Sequence, residues 1–258
     1  MRFKPFIHRW SGIFLMLAGC VGSVWLGITG QLNLYIHPRY ILFTVVMAGL
    51  GLGVCLYSFR RPSAAADRHD HDGSPGWRAF LGYAAVLAVC LFAFMALLVS
   101  KPATLTTATA QQRGINSSVA AADTTDDSIP TNAVPLFGES DYTNLSVRDW
   151  SSLLSQTQNE AYFKGKSVNI TGFVTPDESD SQNIFFVSRF VVSCCAVDAR
   201  PIGVPIYSPD WQQSYKADAW VRVEGAFMSN PSSRSQQAVV VQPVSVKPME
   251  QPKDPYVY

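Results

Sequence analysis

Two adjacent cysteines, Cys194 and Cys195, are the residues of this chain whose type and spacing are most suited to chemistry. They close the apolar run RFVVSCC and are followed by Asp198 in the segment AVDARP. Thiolate and carboxylate groups bind thiophilic metals such as zinc or copper, whereas two neighbouring thiols can also form a redox pair. The compartment matters for the choice, because disulfides persist only in oxidising surroundings.

Three interpretations of the cysteine pair stay open. In the first, both cysteines are structural thiols. In the second, Cys194, Cys195 and Asp198 bind a thiophilic metal with the help of a partner's ligands. In the third, the cysteines form a vicinal disulfide or a redox pair. All four histidines precede the segment, so the C-terminal part alone is short of ligands for a tetrahedral zinc site.

The apolar run before the cysteines predicts a long strand over residues 182–195. Neighbouring side chains of a strand point to opposite faces. Cys194 would then point into the domain, and Cys195 would share the more polar face with Arg189, whose charge would favour the thiolate. A turn within AVDARP would bring Asp198 back towards the thiols.

A second set of candidate ligands occurs in the segment RHDHDG. His69 and His71 alternate with two aspartates, and imidazole and carboxylate groups bind zinc or similar ions. Two histidines are too few for a closed site. The segment is therefore either a solvated polar loop or a weak site for metal capture.

Three apolar runs precede these polar features in the first 100 residues. They cover residues 12–36, 41–59 and 80–99, and none contains a charged side chain. About 20 apolar residues cross a bilayer as a helix. The sequence therefore predicts a three-span transmembrane domain over residues 1–100, with the His/Asp loop at residues 60–78.

Basic residues predict the orientation of these spans. Three precede the first span and four lie between the second and third, but only Arg39 lies between the first and second. Because basic loops stay in the cytoplasm, we expect a multi-pass plasma-membrane protein with a cytoplasmic N-terminus and an extracytoplasmic C-terminal domain.

The spans are typical of an anchor rather than of a transporter. Intramembrane ion and proton pathways are usually marked by ionisable residues, and these spans have none. Gly49 and Gly53 have the spacing that lets membrane helices approach closely. They pack either against the chain's own helices or against another membrane protein.

The remaining sequence predicts a linker and a small β domain. Residues 101–135 are rich in Ala, Thr and Ser and lack periodicity, which indicates a flexible linker. Residues 136–258 contain one short helical pattern, with Ser146 as its N-cap, and five short strand patterns with interior glycines. This order favours a mainly-β, OB-like barrel with one short helix; a β-sandwich fragment is the alternative.

Several functional classes lack support in this domain. It has no histidine to act as a general base and no phosphate-binding or metalloprotease motif, so we expect no enzymatic activity. Its basic residues are scattered, and we expect no nucleic-acid partner.

The order of four sequence blocks resembles the YcgQ-type bacterial membrane proteins, an uncharacterised family. The blocks are YFKGKSVNITGFV, RFVVSCCAVDARPIGVPI, WVRVEGAF and PKDPYVY, and the membrane half adds ITGQLNLYIHPRYI. The resemblance covers most of the chain except the linker. It implies an accessory subunit that accompanies a multi-span permease in the lipid bilayer.

The resemblance also implies a role in metal-ion homeostasis, with zinc or another thiophilic metal as the cofactor. The metal ligands would then be Cys194, Cys195 and Asp198, with His69 and His71 in the loop. A thiol-redox membrane protein and a structural scaffold without a ligand are the alternatives.

Overall fold

The computed structural model of the chain describes residues 4–60, positions 84, 88, 92 and 95, and residues 104–116, 142–157 and 159–258. The chain divides into two compact units, Met1–Ala103 and Thr104–Tyr258. Each unit has its own packing and is described by itself.

Two helices make up the described part of the first unit. Helix α1 covers Lys4–Ile28 and helix α2 covers Pro38–Arg60, with a 3-10 turn at Gln31–Leu34 between them. Within α2, the segment Pro38–Ser58 is long and apolar enough to cross a membrane, and it is the one described helix with that property.

The first predicted span differs from the structure at its C-terminal end. Helix α1 ends at Ile28, and Gly30 adopts a left-handed conformation with φ of 72° before the 3-10 turn. Its apolar part, Leu15–Ile28, is shorter than a full span. The third predicted span lies outside the described residues except for four positions, all helical. The structure thus supports one span by length, not three.

Helices α1 and α2 approach each other through glycines. A Cβ atom added at Gly27 would lie 2.5 Å from Cγ2 of Val45, and one added at Gly51 would lie 2.7 Å from Sγ of Cys20. Added Cβ atoms at Gly49 and Gly53 would meet no heavy atom of the described residues within 4 Å. The pair singled out from the sequence therefore does not mediate the α1–α2 contact.

The second unit begins with a segment that the sequence assigned to a linker. Residues 104–116 contain helix α3, Thr107–Arg113, and Ala110 is fully buried. The backbone N–H of Thr107 donates to Asp218 Oδ1 at 2.6 Å, and the Asn116 side chain pairs with both the N–H and the C=O of Gly203 at 2.9 Å. The expected linker is thus wrong for these residues, because their polar groups pair with the β domain.

Six strands form one mixed sheet in this unit. They are β1 Ser167–Pro176, β2 Ile184–Val191, β3 Arg200–Tyr207, β4 Trp220–Ser229, β5 Val239–Pro248 and β6 Tyr256–Val257. The pairings β1–β2, β2–β3, β3–β5, β5–β4 and β4–β1 return to the starting strand, so five strands close into a ring. The β3–β5 pairing is parallel and the other four are antiparallel.

Strand β1 closes the ring because it pairs with different partners along its length. Ser167–Phe173 faces β4, and Phe173–Pro176 faces β2. Gly172 lies where the partners change, and a Cβ atom there would lie 2.4 Å from the carbonyl oxygen of Ser188. Only glycine allows this approach without a shift of the backbone.

Two short helices cover the interior of the ring. Helix α4 covers Val147–Gln156, and helix α5 covers Glu160–Phe163. The fully buried Trp150 ring packs against Phe227, with 4.8 Å between ring centroids, and Phe163 packs against the same Phe227 at 5.3 Å. This cluster joins the helices to the inward-facing residues of the strands.

A second apolar cluster lies around β1, β2 and the C-terminal strand β6. Phe173 and Phe190 stack with 5.4 Å between centroids, and Tyr256 packs edge-on against Phe190. Ala110 of α3 belongs to the same cluster. The segment 104–116 and the C-terminus therefore pack in one cluster on these strands.

The predicted elements match the structure in type and differ in extent. All five predicted strands are present, and Ser146 caps α4 in a capping box with Asp149 as expected. The single predicted helix is two helices, and β6 was not predicted. Strand β5 continues through Pro243, where its register with β4 shifts: Gly225 pairs with Pro243 and Glu224 with Ser245, so Val244 is skipped in the pairing.

The α1–α2 contact leads to a prediction about Gly27. Replacing Gly27 with Ala forces a Cβ atom against Val45, whose branched side chain has little rotamer freedom. We expect a loss of about 1–3 kcal/mol of stability, seen as a lower melting temperature of the detergent-purified protein. Gly19→Ala in the same helix is the control, because its Cβ would meet no described heavy atom within 4 Å. Equal melting of the two variants would contradict the contact.

Candidate metal and thiol site

The two cysteines lie in the turn that joins β2 to β3. Strand β2 ends at Val191, and the N–H of Val192 donates to the carbonyl of Val257. Residues 193–198 form a turn before β3 begins at Arg200. The predicted strand therefore extends four residues too far at its C-terminal end. The prediction that its alternation places Cys194 and Cys195 on opposite faces fails with it.

The side chain of Asp198 organises this turn. Its Oδ1 atom accepts the N–H of Ser193 at 3.1 Å. Its Oδ2 atom accepts the N–H of Cys194 at 2.6 Å and that of Cys195 at 3.4 Å. The N–H of Asp198 in turn donates to the carbonyl of Cys195 at 3.0 Å. The prediction that a turn in AVDARP returns Asp198 to the thiols is confirmed.

The turn places both thiols close together near the surface. The Sγ atoms of Cys194 and Cys195 are 3.5 Å apart and not bonded to each other. Cys194 is exposed and Cys195 is partly exposed, so Cys194 does not point into the domain as the strand pattern predicted. One ligand atom from each of Cys194, Cys195 and Asp198 lies within 4.8 Å of the other two.

The same hydrogen bonds make the two thiols chemically unequal. Hydrogen bonding to the Asp198 carboxylate, and then to the Cys195 sulfur, raises the pKa of Cys194 to about 12. The N–H of Val197, and then the Cys194 thiol, donate to the Cys195 sulfur and lower the pKa of Cys195 below its usual value. Cys195 is thus the thiol that more readily becomes a thiolate.

Asp198 itself is held in its charged form. Burial alone would raise the pKa of Asp198, but the Cys194 thiol and the backbone N–H groups of residues 193–195 outweigh it and lower that pKa. A carboxylate that accepts this many hydrogen bonds stays ionised at neutral pH.

Arg189 does not have the role that the sequence suggested. Its guanidinium donates to the carbonyl and the hydroxyl of Thr171 at 2.9 and 3.0 Å and to the carbonyl of Asp254 at 3.2 Å, and it packs over the Trp220 ring. It therefore joins β1 to the C-terminal segment, and the lowered pKa of Cys195 has local backbone causes instead.

Arg113 supports the turn from helix α3, a contribution that the sequence did not reveal. Its guanidinium donates to the carbonyl of Ala199, directly after Asp198. The sequence pattern assigns residue 113 to the linker. Gly114, with φ of 70° after the helix, is the one local signal that marks the end of α3.

The sulfur spacing fits the chelation of one metal ion. At a Zn–S distance of about 2.3 Å, sulfurs 3.5 Å apart subtend about 100° at the metal, close to the tetrahedral angle. The Asp198 oxygens already accept three backbone N–H groups, so the two sulfurs are the better available ligands. Further coordination positions need ligands from outside this turn.

The other predicted ligands cannot be placed. His69 and His71 lie outside the described residues, and so do the other loop residues from 61 to 78. The C-terminal unit contains no histidine that could complete the site.

A second group of carboxylates joins two loops of the ring. Asp177 and Asp180 are buried in the β1–β2 loop. Asp177 accepts the hydroxyl of Ser235 at 2.7 Å, and Asp180 accepts the hydroxyl of Ser232 and the Asn183 amide. Hydrogen bonding from Ser232 is the main cause of the lowered pKa of Asp180. These carboxylates connect the β1–β2 and β4–β5 loops.

Comparison with known proteins gives one match. Residues 122–258 match the family described as the DUF1980 C-terminal domain, and the match includes the cysteine turn and all six strands. No curated protein and no solved structure matches the chain significantly.

The unequal thiols lead to a prediction about alkylation. Iodoacetamide reacts with thiolates, so we expect it to modify Cys195 before Cys194 at pH 7, while Cys194 becomes reactive only as the pH approaches its pKa of about 12. Peptide mapping by mass spectrometry of the tryptic fragment 190–216 resolves the two positions. Equal modification of both cysteines at pH 7 would refute the assigned order.

Proposed function

The chain belongs to the DUF1980 family, and from that premise we propose that it is an accessory subunit of a membrane permease in metal-ion homeostasis. Its β domain presents a thiophilic cation on Cys194 and Cys195. The alternatives are a thiol-redox membrane protein and a scaffold without a ligand, and the scaffold predicts no cation binding by the turn.

One observation carries the proposal. Two free sulfurs lie 3.5 Å apart on a turn that Asp198 holds by three backbone hydrogen bonds. Structural zinc sites are closed by four protein ligands, whereas sites that exchange a ligand keep positions open. An accessible pair of sulfurs with open positions suits a cation that is received from one partner and passed to another.

The proposed architecture of the β domain is an OB-like barrel. The ring order 1-2-3-5-4, with a parallel contact between β3 and β5, supports it. In such barrels ligands contact the face of strands 2 and 3 and the loops that join strands 1–2 and 4–5. The cysteine turn joins β2 to β3, the two strands of that face.

The proposed anchor has three spans with the N-terminus in the cytoplasm. The length of Pro38–Ser58 supports one span. The apolar run over residues 80–99, with helical positions 84, 88, 92 and 95, supports another. The distribution of basic residues supports the orientation, which places the cysteine turn outside the cytoplasm.

The proposed partner is a multi-span permease that contacts these helices. The apolar runs contain no Asp, Glu, Lys, Arg or His, so the proposal assigns ion conduction to another protein. Gly49 and Gly53 do not face α1, which leaves them for the third span or for the permease.

Metal titration tests the site. We expect the detergent-purified protein to bind about one Zn²⁺ per chain, and Cys194→Ser and Cys195→Ser each to abolish this binding. Asp198→Asn should weaken binding by about 10–100-fold, because Asp198 orients the ligands without being the main donor. Cys55→Ser in α2 is the matched control and should bind as the parent does. Undiminished binding by the Cys194→Ser/Cys195→Ser double variant would refute the site.

Copurification tests the subunit role separately. We expect the tagged full-length chain to isolate a multi-span membrane protein from its own membranes in mild detergent, since the proposal requires a permease. A tagged Gly49→Ile/Gly53→Ile variant should recover less of it, because the added side chains prevent close approach. Recovery of the chain alone from cross-linked membranes would contradict the subunit role and leave the metal site standing.

A reporter fusion tests the orientation. We expect alkaline phosphatase fused after Tyr258 to be active and a fluorescent protein that folds only in the cytoplasm to be dark at the same place. The opposite pattern would overturn the extracytoplasmic placement of the cysteine turn.

A further inference from the structure

The cysteine turn combines three features that also suit thiol–disulfide exchange. The two sulfurs are already within 3.5 Å, both are accessible, and they have different hydrogen-bond partners. The Cys194 thiol donates to the Cys195 sulfur, whereas Asp198 Oδ2 accepts the backbone N–H of Cys194 at 2.6 Å. In such a pair, one sulfur can attack an external disulfide, and the other can then attack the mixed disulfide that forms.

We propose that Cys195 and Cys194 carry out thiol–disulfide exchange with small-molecule disulfides and close to a vicinal disulfide. Cys195 is the attacking sulfur and Cys194 is the resolving sulfur. This activity goes beyond the proposed function, since it needs neither a bound cation nor a permease.

The exchange is balanced in two steps. In the first, the Cys195 thiolate attacks one sulfur of a disulfide RSSR, a bond forms between Cys195 and that sulfur, and RS⁻ leaves and takes up a proton. In the second, the Cys194 thiol releases its proton to water and attacks the Cys195 sulfur, and the second RS⁻ leaves and takes up a proton. The pair loses two electrons and two protons, and RSSR becomes two RSH.

Geometry makes the product easy to reduce again. Adjacent Cα atoms are about 3.8 Å apart, whereas the Cα atoms of ordinary disulfides are about 4.4–6.8 Å apart. A vicinal disulfide is therefore strained. Ring closure must also move the backbone that Asp198 holds through residues 193–195, so the reduced turn is the more relaxed form. Strained, exposed disulfides are the labile and regulatory ones.

The exchange and cation binding exclude each other at this pair. A sulfur in a disulfide is no longer a thiolate ligand. Oxidation would therefore release a bound cation, and reduction would restore the site. The turn would then couple the redox state of its surroundings to the loading of the metal.

The test uses the full-length reduced protein, with oxidised glutathione as the disulfide. We expect the tryptic fragment 190–216 to lose the mass of two hydrogens without a lasting glutathione adduct, and reduced glutathione to reverse the change. Cys194→Ser should stop at a stable adduct on Cys195, because the resolving sulfur is missing. Cys195→Ser should react more than about tenfold more slowly, because the sulfur assigned to the attack is missing and the remaining Cys194 thiol is the hydrogen-bond donor of the pair.

Zn²⁺ binding by the same preparations separates this proposal from the proposed function. If the reduced protein binds Zn²⁺ and the oxidised protein does not, the two activities share the pair as inferred. If the wild-type chain keeps a stable glutathione adduct, or stays a dithiol in excess oxidised glutathione, the exchange proposal is overturned while Zn²⁺ binding still reports on the proposed function. If the Cys194→Ser chain forms no adduct, Cys195 is not the attacking sulfur and the proposal fails.

Discussion

The β domain depends on the closure of five strands around one close backbone contact. Strand β1 must leave β4 and join β2 within a few residues, and it does so at Gly172, where a side chain would collide with the Ser188 carbonyl. Once the ring is closed, the inward-facing residues need a cover, which Trp150 and Phe163 provide from the two short helices. Closure also leaves β2 with an edge that β1 covers only as far as Ser188.

The edge of β2 beyond Ser188, which β1 does not cover, explains how the residues around the cysteine turn are arranged. Strand β6 takes over at Phe190 and Val191, and Arg189 bridges the change by bonding Thr171 on one side and the Asp254 carbonyl on the other. Beyond Val192 the chain has no strand to pair with, and its next three N–H groups need acceptors. The Asp198 carboxylate accepts all three N–H groups. The turn that brings the cysteines together therefore also satisfies the backbone hydrogen bonds that the strand can no longer make.

The sequence predicted those elements whose residues alternate or cap locally. Strands β1 and β4 follow from alternating apolar residues and the other long strands from short apolar runs, and Ser146 marks a helix start through its own side chain. What it did not predict depends on distant partners. Helix α3 has few large apolar residues and is fixed by Asp218 and Ala199, more than 80 residues away. Strand β6 is two residues long and exists only because β2 has a free edge.

The candidate site divides in the same way. The residues of the site could be predicted, because two thiols and a carboxylate within five residues come close together if the chain turns. Its geometry could not, because the end of β2 is set by where β1 departs and not by the local apolar pattern, which continues to Val192. The pattern therefore placed Cys194 inside the domain, whereas the turn exposes it.

The position of the site outside the two apolar clusters has a functional consequence. Neither cysteine belongs to a cluster that holds the strands together, so a change at the sulfurs strains the turn and not the ring. Reactive groups on a loop can change state at little cost when a rigid scaffold positions them. The ring, its covering helices and the C-terminal strand fix the two ends of the turn, and Asp198 fixes its middle. A bound cation or a closed disulfide would therefore alter the same six residues, 193–198, and leave the rest of the domain as it is.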